Sequence, residues 1–165
     1  MSELHFTIEA QRPEDAEAVE RLHARAFGPG RFARTAFRIR EQASAAPGLA
    51  YVAHIGSLLI AAVQLTPIHI GEHRAFMLGP LTVDPSFEGR GIGRALLERC
   101  AHAARAIGAD LIILVGDEPY YGRHGYKRVP PGRIRLPGPV DPMRLLGLEL
   151  KPGALSAISG DVRGG

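Results

Sequence analysis

The sequence has a single cysteine, Cys100, among its 165 residues. One cysteine excludes an intramolecular disulfide and any zinc site built from cysteine pairs. Lysine is almost as scarce, since Lys127 and Lys151 are the only two and arginine supplies the other basic side chains. The sequence has no run of five basic residues and no zinc-finger spacing, so its arginine content does not predict nucleic-acid binding. We therefore expect a cytoplasmic protein, since a reducing compartment suits an unpaired thiol, and no nucleic-acid partner.

Long hydrophobic runs are also missing. The longest uninterrupted apolar run, Leu58 to Val63, is far shorter than the roughly 20 residues of a membrane-spanning helix. The N-terminus carries Glu3 and Glu9 and has no apolar segment of the kind found in export signals. The sequence therefore predicts a soluble protein that is not exported and has no membrane partner.

The length and composition predict one domain with a substantial core, since 45% of the residues are hydrophobic. We place this domain at residues 1–155. The remaining residues, 156–165, end in two glycines and carry little apolar surface. For this C-terminal tail we expect mobility or a minor contact at the edge of the domain.

The N-terminal part of the chain predicts a strand followed by two helices. Leu4 to Ile8 alternates between apolar and polar residues, and Pro13 with two acidic residues after it is typical of a first helical turn. Apolar residues at helical spacing predict another helix over Arg31 to Gln42. The apolar stripe of the first helix is predicted at Val19, Leu22 and Ala26.

The middle of the chain predicts an antiparallel meander of three strands. Its strands are Leu49 to Ile55, Leu58 to Ile70 and Arg74 to Val83, and Gly56-Ser57 suits a two-residue hairpin turn. Gly79-Pro80 interrupts the third strand. Because proline has no N–H to donate to a neighbouring strand, we expect a bulge or a local loss of pairing there.

The second half predicts a parallel crossover. An amphipathic helix is followed by Gly108 at its C-terminal cap and by a buried strand over Leu111 to Val115. A short helix around Pro119 to Arg123 and strands over Tyr126 to Val129 and Leu145 to Leu150 complete a mixed α/β fold. The apolar stripe of the amphipathic helix is predicted at Ile92, Leu96, Cys100, Ala103 and Ile107.

The segment from Glu88 to Arg94 is the most informative, because Gly89, Gly91 and Gly93 crowd the start of that amphipathic helix. Glycine allows a close approach of the backbone, and the unpaired N–H groups of a first helical turn attract anions. The segment therefore predicts a phosphate site, and the alternative is a glycine-rich capping turn that binds nothing. A P-loop is excluded because Arg94-Ala95 follows the last glycine, and the spacing also fails the Gly-x-Gly-x-x-Gly pattern of dinucleotide-binding folds.

Glu88 to Gly93 resembles the acetyl-CoA signature Gln/Arg-x-x-Gly-x-Gly/Ala of the GNAT superfamily of N-acetyltransferases. Tyr121 to Tyr126 resembles the Tyr-x-x-x-Gly-Phe/Tyr element of the same family, and the order of elements agrees over about residues 4 to 150. The resemblance implies a mixed α/β fold with a central, mostly antiparallel, twisted sheet of about seven strands and about four helices. The fourth and fifth strands would form one parallel pair that splays apart for CoA.

The resemblance also implies a site. Leu81, Thr82 and Val83 would offer backbone groups to the pantetheine arm of acetyl-CoA, the co-substrate, and Tyr121 would be the general acid. No metal is implied. Glu88 stands where the family has Gln or Arg, and a carboxylate beside phosphates is repulsive. Glu88 and Tyr121 are also expected among the cofactor-binding residues. The residues expected to cradle the pyrophosphate are Gly89, Arg90, Gly91, Ile92, Gly93 and Arg94.

The implied activity is direct transfer of an acetyl or other short acyl group from acetyl-CoA to a primary amine, and the acceptor, a small molecule or a peptide, stays open. A non-catalytic acyl-CoA-binding module is the alternative, and a homodimer is compatible with the family. We expect Tyr120 to be a packing residue and Cys100 a buried structural thiol. The basic C-terminal third, including Arg123 and Arg128, either meets the 3′-phosphate of CoA, shapes an acceptor groove or is solvated surface. The general base is left open among Asp117, Glu118, His124, His54, His69 and His73.

Overall fold

The computed structural model describes residues 5–27 and 49–164 and confirms the mixed α/β fold. The helix predicted over Arg31 to Gln42 lies outside these residues. The helices and strands are β1 Thr7–Ala10, α1 Ala16–Phe27, β2 Leu49–Ile55, β3 Leu58–Ile70, β4 His73–Val83, α2 Ile92–Ile107, β5 Leu111–Val115, α3 Glu118–Gly122, β6 Lys127–Arg128, β7 Ile134–Arg135, β8 Leu145–Glu149, α4 Ala154–Ala157 and β9 Gly160–Gly164.

The strands follow the order β1-β2-β3-β4-β5-β8-β6 across the sheet. Their pairing is antiparallel except between β4 and β5, which are parallel, as the resemblance implied. The described residues contain nine strands rather than about seven. The additional strands are β7 and β9, which pair in parallel with each other, and β9 also pairs with β3.

The C-terminal residues form an edge contact. Ile158 and Val162 are buried against the sheet face that carries Ile68 and Ile70. Backbone pairing between residues 162–164 and 68–70 also holds β9 beside β3.

The meander forms as predicted, except that β4 begins one residue earlier, at His73. Its turns have the backbone conformation that they require. Gly56 between β2 and β3, and Gly71 between β3 and β4, both have a φ of +59°, which glycine adopts at little cost. The predicted irregularity at Gly79-Pro80 is also present. Val63 pairs with Leu81 while Leu65 pairs with Leu78, so β4 has one more residue than β3 across this interval.

The parallel pair of β4 and β5 is short and opens at one end. Pairing covers only residues 75–77 of β4 and 111–113 of β5. The closed end is held by Asp110, whose carboxylate lies 2.8 Å from Nζ of Lys151 and 3.3 Å from Nδ1 of His73. At the other end the two strands separate, and β4 continues alone to Val83.

Helices cover both faces of the sheet. On one face, α2 buries Leu96, Cys100 and Ala104 in the main core. On the other face, α1 buries Val19 and Leu22. Two residues predicted in these stripes are exposed: Ala26 and Ile107 both stand in the last turn of their helix, where it no longer packs on the sheet. Among the described residues, no helix combines the length and the apolar character needed to cross a membrane.

Candidate active site

A cleft of about 1280 Å³ opens where β4 and β5 separate. Its walls come from the end of β4, the glycine-rich segment, the exposed side of α2 and the segment around α3. Most of its lining residues are Leu81, Val83, Phe87, Glu88, Gly89, Gly91, Ile92, Gly93, Arg94, Leu97, Glu98, Asp117, Tyr120, Tyr121, Arg123, His124 and Tyr126.

The end of β4 presents a backbone edge to the cleft. Leu81, Thr82 and Val83 pair with β3 on one side, and within the described chain no β5 residue pairs with them on the other. Leu81 and Val83 line the cleft. Thr82, between them, points to the opposite face because alternate residues of a strand do so. Its hydroxyl is buried without a hydrogen-bond partner in the described chain, so Thr82 offers the cleft only its backbone.

The glycine-rich segment leads directly into α2. Gly91 is the N-cap, with a φ of +82°, and Gly89 has a φ of +75°. Space around both Cα atoms is open, so glycine is favoured here by the backbone conformation rather than by crowding. The first α-helical hydrogen bond runs from the N–H of Ala95 to the carbonyl of Gly91. The N–H groups of Ile92, Gly93 and Arg94 precede it and lack helical acceptors, as at any helix start.

The charged residues of this segment differ in whether they border the cleft. Arg94 lines the cleft and lies 3.0 Å from Glu98 one turn further along α2. Glu88 lines the cleft with an exposed side chain, so its carboxylate is largely hydrated. Arg90 is exposed and is not among the residues that line the cleft. Of the two arginines predicted at the phosphates, only Arg94 therefore borders the cleft.

Tyr121 lies at the carboxyl end of β5. Its ring packs so closely on Gly116 that a Cβ on that glycine would overlap it. Tyr126 supports it from behind, with ring centroids 5.9 Å apart. Burial raises the pKa of Tyr126 and keeps that phenol protonated. Tyr121 is half-buried and lines the cleft, so its ring is held where the two strands separate.

Tyr120, predicted to be a packing residue, packs on two neighbours and also borders the cleft. Its hydroxyl lies against Gly93 in the first turn of α2, and its half-buried ring lines the cleft. Its ring also meets Tyr121 edge-on at 4.9 Å. Nothing in the sequence distinguished the two adjacent tyrosines except the family element, which matches Tyr121 alone.

The other candidate acid and base residues divide between the cleft and positions outside it. Asp117 and His124 line the cleft. Burial, followed by the positive charge of Arg123 and Arg94, lowers the pKa of His124, so this imidazole is neutral near pH 7. Glu118, His54 and His73 lie 3.1 Å from Arg128, 3.3 Å from Glu9 and 3.3 Å from Asp110, respectively.

Among the described residues, Cys100 and the histidines do not form a nucleophilic or metal-binding site. Burial raises the pKa of the Cys100 thiol to about 12, as expected of a structural thiol. In the described parts of the chain, no group of three or more His, Cys, Asp or Glu side chains is placed to hold a metal ion.

Comparison with known proteins identifies relatives of one kind. The acetyltransferase (GNAT) domain family matches residues 46–128, half of the chain. The uncharacterized N-acetyltransferase YjhQ of Escherichia coli is 28% identical over 127 residues, which are 74% of this chain and 70% of that protein. The family match at residues 46–128 spans the meander, the glycine-rich segment, α2 and the tyrosine element.

Two solved structures share the fold over nearly the whole chain. A GNAT acetyltransferase from Brucella melitensis in complex with acetyl-CoA is 26% identical, with a TM-score of 0.72, and the match covers 97% of this chain and 96% of that one. YhbS from Escherichia coli in complex with CoA has a TM-score of 0.85 at 24% identity, covering 100% of this chain and 92% of that one.

Proposed function

The chain belongs to the GNAT family of N-acetyltransferases, and from this premise we propose that it transfers an acetyl group from acetyl-CoA directly to a primary amine. One observation carries the proposal. The free backbone edge of β4, the N-terminus of α2 and Tyr121 border a single cleft. These are the three features that a CoA thioester needs: partners for its amides, partners for its phosphates and a proton donor near its sulfur.

The diphosphate of CoA would lie at residues 88–94. The N–H groups of the first turn of α2 would donate hydrogen bonds to it, and the helix dipole adds favourable charge. The pantetheine arm would then run along Leu81 to Val83, whose edge towards β5 is unpaired, and reach the point where the strands separate. The related Brucella melitensis structure contains acetyl-CoA and the related YhbS structure contains CoA, which supports this ligand.

Tyr121 would act as the general acid. The amine nitrogen attacks the thioester carbonyl carbon, the C–S bond breaks, and the departing thiolate takes the phenolic proton of Tyr121. The acylated nitrogen gives up its extra proton to water, and the tyrosinate is reprotonated from solvent. A phenol with an ordinary pKa of about 10 is protonated at neutral pH and is suited to this role.

The attacking amine must be neutral. For an alkylamine with a pKa of about 10.4, only about one molecule in a thousand is neutral near pH 7.4. The rate with such an acceptor should therefore rise as the pH rises. An acceptor with a lower amine pKa, such as a peptide N-terminus, has a much larger neutral fraction at the same pH.

A second candidate is an acyl-CoA-binding module without catalysis. It is favoured by Glu88, a carboxylate that lines the cleft where the phosphates would lie. Weakened cofactor binding is compatible with a sensor that responds only to high concentrations of acyl-CoA. Both candidates require CoA in the cleft, and only the first requires an acceptor.

The test is thiol release from acetyl-CoA in the presence of primary amines: amino acids, short peptides, lysine and simple alkylamines. Each is paired with its dimethylated tertiary counterpart, which cannot form a stable amide. Transfer predicts release that depends on the primary amine and is absent with its partner. Calorimetric binding of CoA without amine-dependent release would favour the binding module, and the absence of CoA binding would contradict both.

A further inference from the structure

The hydroxyl of Tyr120 lies at the phosphate end of the cleft rather than at the point where β4 and β5 separate. It lies against Gly93, one of the three residues of the first turn of α2 whose N–H groups lack helical acceptors. Tyr121, its neighbour, packs on Gly116 at the end of β5. The two adjacent tyrosines of α3 therefore border different parts of the same cleft.

The Tyr120 hydroxyl has no hydrogen-bond partner in the described part of the protein. It is half-buried, and no hydrogen bond to it is found within residues 5–27 and 49–164. A half-buried phenol that only packs gains nothing from its oxygen, because phenylalanine would fill the same space. A phenolic O–H usually finds a partner when it is partly removed from water. Tyr120 lines the cleft, so the partner can belong to a ligand.

Two arginines near Tyr120 would attract an anionic partner. The guanidinium of Arg123 lies over its ring, 5.3 Å from the centroid, and itself lines the cleft. Arg94 borders the same region from α2. Partial burial raises the pKa of Tyr120, so the phenol stays a hydrogen-bond donor at neutral pH. The imidazole of His124, whose ring centroid lies 5.2 Å from that of Tyr120, is neutral and adds no charge of either sign.

We infer that Tyr120 is a cofactor-binding residue that donates a hydrogen bond to the diphosphate of CoA, beside the N–H groups of the first turn of α2. The inference rests on the proposed binding of CoA in this cleft. In this arrangement α2 contributes backbone N–H groups to the diphosphate site, and α3 contributes the hydroxyl of Tyr120 next to them. The adjacent residues Tyr120 and Tyr121 then divide binding and proton transfer between them.

The experiment is calorimetric binding of CoA and of dephospho-CoA to wild type and to Tyr120→Phe. Both ligands carry the diphosphate, and dephospho-CoA lacks the 3′-phosphate. A hydrogen bond to a charged group contributes about 1.5–3 kcal/mol, so we expect the Kd of both ligands to rise by about tenfold or more. The rise should be the same for the two ligands.

Tyr51→Phe is the matched control. Tyr51 is also half-buried and also carries an arginine, Arg99, over its ring at 5.5 Å, but it is not among the residues that line the cleft. It should bind both ligands like wild type. Thermal melting of each variant checks that the fold is intact.

The possible outcomes distinguish a failure of the Tyr120 hydrogen bond from a failure of CoA binding itself. If Tyr120→Phe binds both ligands as wild type does, the hydroxyl serves packing alone and the inference is wrong. If only CoA binding weakens, the hydroxyl contacts the 3′-phosphate and the inference is again wrong. If wild type itself binds neither ligand, the proposed function fails first.

Discussion

The hydroxyl oxygen of Tyr120 occupies the space where a side chain on Gly93 would begin. This contact joins the first turn of α2 to α3 across one end of the cleft. Only a residue without a Cβ fits beside that oxygen, so the glycine at position 93 is required by its neighbour rather than by its own backbone conformation. The last glycine of the family signature thus has a reason in this chain that differs from the positive φ of Gly91.

Gly93→Ala should destabilise the protein by about 1–3 kcal/mol, the usual range for a group forced into a packed site. Without the hydroxyl, the nearest atom of ring 120 is Cζ, 3.7 Å from the new Cβ, which is an ordinary contact distance. Gly93→Ala in a Tyr120→Phe background should therefore cost much less. Denaturant unfolding of the four proteins of this double-mutant cycle measures the coupling. Equal costs in both backgrounds would contradict the contact.

Tyr121→Phe should lower kcat by about a hundredfold or more, because a positioned general acid contributes about 10²–10⁴-fold to a rate. The Kd for CoA should stay within about twofold of wild type, since the ring and its packing on Gly116 remain. Thiol release with a productive acceptor measures the first and calorimetry the second. Full turnover with an unchanged pH profile would show that Tyr121 is not the acid.

Glu88→Gln should tighten CoA binding. The carboxylate lines the cleft where the phosphates are proposed, and the amide removes its repulsion. Because Glu88 is exposed, solvent screens the effect, and a fall in Kd of about two- to fivefold is expected from the small size of exposed charge interactions. The gain should shrink at high salt. Glu98→Gln, which removes the partner of Arg94, is the comparison variant. Unchanged or weaker binding of CoA by Glu88→Gln would refute the prediction.

Asp110→Asn should lower stability at neutral pH but not in acid. The hydrogen bond from Lys151 chiefly lowers the pKa of Asp110 below its ordinary value of 3.8. Because the folded state favours the charged carboxylate, the unfolded chain takes up the proton first as the pH falls. The stabilisation is therefore complete well above pH 3.8, where it reaches up to about 1 kcal/mol for a partly exposed ion pair, and is lost below it. Urea unfolding at several pH values measures the difference between wild type and variant, which should shrink as the acid range is entered. A difference independent of pH would contradict the ion-pair explanation.

Regular, periodic elements were predictable from the sequence. The three strands of the meander and α2 were predictable because their periodic apolar patterns extend over many residues. The segments that follow β2 and α2 also contain glycines with the required φ, Gly56 and Gly108. By contrast, β7 has two residues, too few to form a pattern. β9 depends on pairing with β3, a contact between distant parts of the chain that local spacing does not encode.

The site was predictable where backbone chemistry defines it. Glycines at a helix start indicate an anion site without knowledge of the fold, and the structure places Gly89, Gly91 and Gly93 on one cleft. Side-chain direction was not predictable in the same way. Tyr120 and Tyr121 are adjacent and chemically identical, and the sequence does not indicate that the first contacts Gly93 and the second contacts Gly116.

The most direct test of the proposed CoA site is a titration of CoA into the ¹⁵N-labelled protein, followed through its backbone amide resonances. A chain of 165 residues is small enough for this measurement. The largest shifts should occur at the amides of residues 89–94, with further shifts at residues 81–83. Unchanged amides at residues 89–94, with shifts elsewhere or none at all, would contradict the binding of CoA at the N-terminus of α2.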